Sequence, residues 1–258
     1  MTSNASIAAG GTATGSAAGS DARRAPPTRR VVDAPIRMFH ALFALSFLGA
    51  WLTSEAESLR LLHVTLGYTI AGLLAFRLVY GLIGPRQARL RLLWQRIVGL
   101  RAWLGALRRT RNLRRAPWRQ ALPLVLGASI VLLLIGMLPL LVTGYASYQE
   151  WGDVFGGDLF EELHEVLGSL AFNVMLVHLL AVVAVSLSLR RNLARQMFDG
   201  RIPGRGPDPA RSNRAWLAAT MLTVVLGYWT WAWVDSPNGL LPWDLARAVG
   251  VHERDGDD

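Results

Sequence analysis

Five apolar runs, each close to the length of a membrane-crossing helix, constrain this 258-residue chain more than any other feature. They fall at about Ile36–Thr53, Leu61–Gly84, Ala121–Thr143, Leu163–Leu189 and Ala215–Val234. A helix that crosses the hydrocarbon core takes about 20 residues, so the runs predict five transmembrane helices and an all-α fold. The fourth run is long enough to tilt or to project from the bilayer. Hydrophobic residues make up 52% of the chain and the mean hydropathy is +0.30, which rules against reading its +9 charge as a nucleic-acid signal.

The placement of charge gives a direction. All basic residues are arginine. Eleven of them, from Arg86 to Arg119, separate the second run from the third, and seven, from Arg190 to Arg214, separate the fourth from the fifth. The alternate loops are acidic, with Glu55 and Glu57 in one and Glu150, Asp153, Asp158, Glu161 and Glu162 in the other. Arginine-rich loops stay on the cytoplasmic side, so the N-terminus is expected in the cytoplasm and the C-terminus outside. Residues 1–30 lack a continuous apolar stretch and read as a disordered leader. Residues 31–203 then hold four runs, and residues 204–258 a fifth helix with an outward-facing tail.

Four of the five histidines lie in these runs, where an ionisable residue is costly and usually functional. His164 and His178 are fourteen residues apart in one run, which puts them on one face and about 21 Å apart along the axis. With the orientation above, His40 enters near the inner face and His63 near the outer face. Depth therefore pairs His40 with His178 and His63 with His164. Two depth-matched pairs are what two bis-histidine haems would need. The chain has no cysteine, which excludes iron–sulfur clusters and covalent c-type attachment, so the expected cofactor is non-covalent haem b, two per chain. Zinc or di-iron would want carboxylates or a tighter cluster, and the acids beside His164 (Glu161, Glu162 and Glu165) read better as an acidic loop and helix start. His252 falls in the polar tail and reads as solvated.

Arg37, one turn before His40, and Arg77, fourteen residues after His63, are placed to bind the propionates of the inner haem; the bland reading of each is interfacial snorkelling. Gly67, Gly72 and Gly168 would let a flat macrocycle approach the backbone or, equally, allow close helix packing. Trp51, Tyr68, Phe76 and Phe172 would pack around the rings. Pro123 and Pro139 lie near the ends of the third run. A transporter or assembly factor with histidines in a proton path is one rival reading, and a catalytic redox enzyme such as a reductase with its own substrate is the other. No nucleotide-binding fingerprint is present, since Gly200–Gly206 lies in a proline-rich loop with no preceding strand.

Motifs in order along the chain carry a resemblance. Pro35-Ile36-Arg37-Met38-Phe39-His40, His63-x-x-x-Gly67-Tyr68 and Phe76-Arg77-x-x-Tyr80-Gly81-x-x-Gly84-Pro85-Arg86 resemble the first half of the bacterial cytochrome b561 and nickel–iron hydrogenase b-subunit family. Leu163-His164-Glu165 with His178, then Asn192-Leu193-x-x-x-Met197-x-x-Gly200-Arg201, resemble the second half, so the likeness spans about residues 31–203. It implies a four-helix di-haem core plus a fifth transmembrane helix in the bacterial inner membrane. The axial ligands would be His40, His63, His164 and His178. The function would be electron transfer between the quinone pool and a partner such as a cytochrome c or a hydrogenase-type subunit. Three departures stand out. Ala41 replaces a tryptophan common after the first histidine and Tyr80 replaces another. Arg114-Arg115-Ala116-Pro117-Trp118 stands where many members have Gly-His-Asn-Pro, which bears on partner identity more than on haem.

Overall fold

The computed structural model describes residues 27–109, 118–152, 157–210, 212–236 and 240. The chain forms α1 (Ala34–Leu52), α2 (Arg60–Ile83), α3 (Arg91–Arg109), α4 (Trp118–Tyr148), α5 (Leu159–Leu189), the single turn α6 (Arg195–Asp199) and α7 (Ala215–Asp235). A two-stranded antiparallel ribbon joins β1 (Thr28–Arg30) to β2 (Arg201–Pro203). Five helical stretches are long and apolar enough to cross a membrane: Ala34–Leu52, Glu57–Ile83, Ala121–Tyr148, Leu159–Leu189 and Ala215–Asp235. They match the five apolar runs. Their outward faces stay apolar, with Ile83 at 80% and Leu187 at 72% exposure. A water-facing helix would be polar on that side, so these faces are built for lipid.

The bundle is two antiparallel helix pairs. α4 and α5 form one and α1 and α2 the other, while α7 packs on α1 and α3 on α4. The pairs approach each other through α2 and α4. Between them, Ala50 of α1, Leu66, Ile70 and Leu74 of α2, Met137 and Leu140 of α4 and Ala171 of α5 make one buried cluster. A second cluster, Phe39, Leu42, Leu73, Met221 and Val225, seats α7 against α1 and α2. Trp229 of α7 also donates its indole N–H to Thr69 Oγ1 at 2.8 Å. Thr69 hands its own proton to the Thr65 carbonyl at 2.9 Å, so its lone pairs are open to the indole.

Three expectations need correction. The leader, expected to reach residue 30, ends earlier: Thr28, Arg29 and Arg30 pair with Pro203, Ile202 and Arg201. That ribbon clamps the entry of α1 to the segment after α5, and residues 1–26 lie outside the described ones. The arginine-rich stretch between the second and third runs is not only loop, since Arg91–Arg109 forms an amphipathic helix against α4. Pro123 and Pro139 both lie inside α4, which runs on to Tyr148, well past the end of the apolar run.

Gly200 shows why the clamp has its sequence. It closes α6 with φ +71°, and a Cβ there would sit 2.4 Å from the Val32 carbonyl oxygen. Its own carbonyl accepts the Val31 N–H at 2.8 Å. Only glycine meets both demands. Beside it, the Asp199 carboxyl is held below its usual range, chiefly by the Arg201 backbone N–H and also by Arg195.

Candidate functional site: two levels of paired histidines

His63 of α2 and His164 of α5 face each other with ring centres 6.0 Å apart and planes crossed at 83°. Two imidazoles on opposite sides of one ion, each bonded at about 2 Å, have centres roughly 6 Å apart once the ring's half-width is added. A cavity of about 150 Å³ adjoins both rings, lined also by Trp51, Gly67, Leu141 and Gly168. At the other level, His178 of α5 is within electrostatic range of His40 of α1, as His164 is of His63. The structure thus brings the His63 and His164 rings into contact and sets His40 within electrostatic range of His178.

The histidines are held by one ring nitrogen. His63 Nδ1 lies 2.8 Å from the Ala50 carbonyl and His164 Nδ1 lies 3.0 Å from that of Leu140. A carbonyl can only accept, so in each bond Nδ1 carries the proton and Nε2 keeps a free lone pair. Ala50 sits in the last turn of α1, and its carbonyl also accepts the Thr53 backbone N–H at 3.3 Å and the Thr53 hydroxyl at 3.2 Å, so the imidazole shares an oxygen at the helix end. His178 Nδ1 lies 3.1 Å from Ser129 Oγ, and that hydroxyl already donates to the Leu126 carbonyl at 2.9 Å. Ser129 therefore accepts, and His178 also presents Nε2. His40 has no hydrogen bond to a described residue and is exposed at the bundle's edge. Ser129 and Leu140 are eleven residues apart on α4, about 16 Å, so α4 supports both levels that α5 carries.

Glycines make the space. A Cβ at Gly144 of α4 would fall 2.6 Å from His164 Cε1 and 2.8 Å from its Nδ1, so only a residue without a side chain lets this ring reach α4. A Cβ at Gly67 would meet nothing within 4 Å, and one at Gly168 only Leu140 Cδ1 at 3.9 Å. Close helix packing would have put a neighbouring helix there; instead the room beside both glycines is open. Trp51 and Phe172 stack at 4.0 Å and 8° beside the outer level, and Phe76 and Tyr80 stack at 5.4 Å and 15° on α2 toward its inner end. Tyr68 is placed otherwise: it is 42% exposed, among Tyr145, Tyr148 and Gln149 at the outer end of α4.

Arg37 and Arg77 both point into the inner end of the bundle, and both are engaged by protein. Arg37 donates to the Phe198 carbonyl at 2.5 Å and to Asn213 Oδ1 at 3.4 Å. Arg77, buried, donates to the Ala88 carbonyl at 3.0 Å. Neither is a snorkelling side chain. A fully buried carboxylate lies near them that the sequence reading missed. Asp33 accepts the Tyr80 hydroxyl at 2.5 Å and stands 3.7 Å from Arg214. Its signal was an acid among the arginines of the arginine-rich side. Ser129 and Gly144 were missed too, and nothing in their local sequence marks them.

Among the described residues no group of three histidine, cysteine or carboxylate side chains gathers. What the described residues form is a membrane bundle in which the His63 and His164 rings face each other at one level and His178 lies toward His40 at the other. The sequence model of the prokaryotic cytochrome b561 family matches residues 31–200, and the chain belongs to that family. It is an integral membrane protein whose family carries electrons across membranes through b-type haem. Comparisons with curated proteins and with solved structures found no match.

Proposed function

We propose that this chain moves electrons between the quinone pool and a redox partner through two haem b groups, one per histidine pair. The observation that carries the reading is that both pairs stand at the levels of α5 fixed by His164 and His178, about 21 Å apart. The residues present fit the group. His63, His164 and His178 each have Nδ1 held and Nε2 available, and the space beside Gly67 and Gly168 is open. Haem b, when bound, supplies reversible one-electron chemistry at iron.

The chain's own residues do the rest. Nδ1 bonds to Ala50, Leu140 and Ser129 fix the tautomer and the ring orientation, as outer-shell partners do at metal sites. His63 with His164 and His40 with His178 would hold the two groups, and with two imidazoles each the iron would be closed to small molecules, leaving the protein a conductor. Arg37 and Arg77 use only part of their donor sets on carbonyls; the remainder would face the inner haem's propionates.

The orientation proposed places α3 at the cytoplasmic face of a bacterial inner membrane, α6 and the clamp on that same side and the end of α7 outside, because the arginine-rich segments are on the former side. A cleft of about 280 Å³ between α3, α4 and α5 supports a quinone at the inner level. Leu100, Val125 and Val177 line it, and so does Ser129, which holds His178. An apolar ring there would lie one side chain from an axial ligand.

A pyridine haemochrome assay on the purified full chain tests the reading. Two haem b per chain are expected. Zero, or a covalently attached haem, would sink it.

A further inference from the structure

We propose that α3 is a binding surface for anionic phospholipid headgroups in the inner leaflet. The helix carries Arg91, Arg101, Arg108 and Arg109 at exposed positions and contains no acidic residue. None of these four forms an ion pair with a described carboxylate; the described ion pairs are Arg195 with Asp199 and Arg214 with Asp33. Four unpaired guanidiniums on one short helix call for an external anion.

Depth identifies the anion. Gly99 of α3 abuts Leu124 of α4, since a Cβ there would lie 3.1 Å from Leu124 Cδ2, and Leu100 faces Val125 and Ala128 across the cleft. The apolar span of α4 begins at Ala121. The middle of α3 is thus level with positions three to seven residues into that span, about 5 to 10 Å below its start. That is the depth of an amphipathic helix lying in the headgroup–acyl boundary. A cytosolic protein could not reach it there.

The faces of the helix agree. Ile97, Leu100, Trp103 and Leu107 are partly covered on the α4 side. Trp94, Arg101 and Arg108 follow at seven-residue spacing along another stripe. Trp94 is 63% exposed and Val98 beside it 52% exposed. A tryptophan and apolar side chains interleaved with arginines match a surface with acyl chains below and phosphates above. A protein-docking face for an acidic partner would not leave the tryptophan bare at this depth.

The test uses the full chain with its haem in a neutral detergent, exchanged until free of native lipid. Phosphatidylglycerol and phosphatidylcholine are added at equal concentration, and bound lipid is counted by native mass spectrometry. Wild type should hold phosphatidylglycerol over phosphatidylcholine by at least about tenfold, and high salt should erase the preference. Replacing Arg91, Arg101, Arg108 and Arg109 together by glutamine should abolish it. Lysine at the same four positions should keep it, and so should glutamine at Arg190, Arg191 and Arg205. Haem absorbance reports folding of each variant; if the glutamine variant loses haem, the salt response and the lysine variant still decide. Equal retention of both lipids by wild type, or an unchanged preference in a folded glutamine variant, overturns the proposal. So does capture of an acidic cytosolic protein without lipid preference.

Discussion

An imidazole can hold a metal with one nitrogen only if the other is satisfied elsewhere, and the bilayer interior offers few partners. Here the partners are the Ala50 and Leu140 carbonyls and Ser129 Oγ. Losing such a partner at a metal site costs about 10- to 100-fold in affinity. Ser129→Ala should therefore weaken retention of the inner haem by that order, and spare the outer one, read as haem loss to apomyoglobin with time. Equal loss from both levels would count against the assignment. Gly144→Leu should act on the other level, because any side chain there collides with the His164 ring. The expected result is one haem per chain in place of two. For the four proposed ligands, His40→Ala and His178→Ala should remove the same spectral component, and His63→Ala and His164→Ala the other. Redox titration of the four variants checks this, and a shared loss in His40→Ala and His63→Ala would refute the pairing.

At the scale of elements, α7 has a task that its sequence does not advertise. It packs on α1 beside Phe39 and Leu42, one turn or less from His40, and is tied to α2 by Trp229 and Thr69. A hydrogen bond between helices in a membrane contributes about 0.6 kcal/mol on average. Thr69→Val should lower the bundle's stability by that amount to about 1.5 kcal/mol, with haem content unchanged, measured by unfolding in detergent. Trp229→Ala also empties packed volume and should cost more. Which elements were legible follows from how each is encoded. The five spans are written in composition alone, since length and apolarity are all a bilayer asks, and the sequence reading placed them within a few residues. α3 was not legible as a helix because its arginines dominated the reading; its apolar positions make sense only once α4 lies beside them. The β1–β2 ribbon was hidden for a related reason. Its strands are three residues each and 173 positions apart, from Thr28 to Arg201, so no local pattern records them. The approach of His63 to His164 was legible because α5 is one uninterrupted ruler, whereas Gly144 and Ser129 make their contacts from another helix.

At the scale of the molecule, charge, depth and ligation point the same way. Alkaline phosphatase fused after Arg109 should be inactive and after Asp235 active, because the first junction belongs to the arginine-rich side and the second ends an odd-numbered span. The same asymmetry has a redox consequence. The two levels sit in unlike surroundings. The outer pair is backed by backbone carbonyls and a cavity that Glu55 and Glu165 also line, whereas the inner end of the bundle sets Arg77 and Arg214 near the Asp33 carboxylate and Arg37 near Asp199, three cations against two acids. Excess positive charge favours the reduced state of a nearby iron centre, since reduction adds an electron. The inner haem should therefore titrate at the higher potential. Arg77→Gln should lower that component and leave the other in place, because Arg77 lies fourteen residues, about 21 Å, from His63 along α2. Potentiometric titration of wild type and Arg77→Gln, with components assigned through the His178→Ala and His164→Ala variants, measures both effects. A shift of both components together, or of the outer one alone, would show that the arginine cluster does not set the difference between the levels.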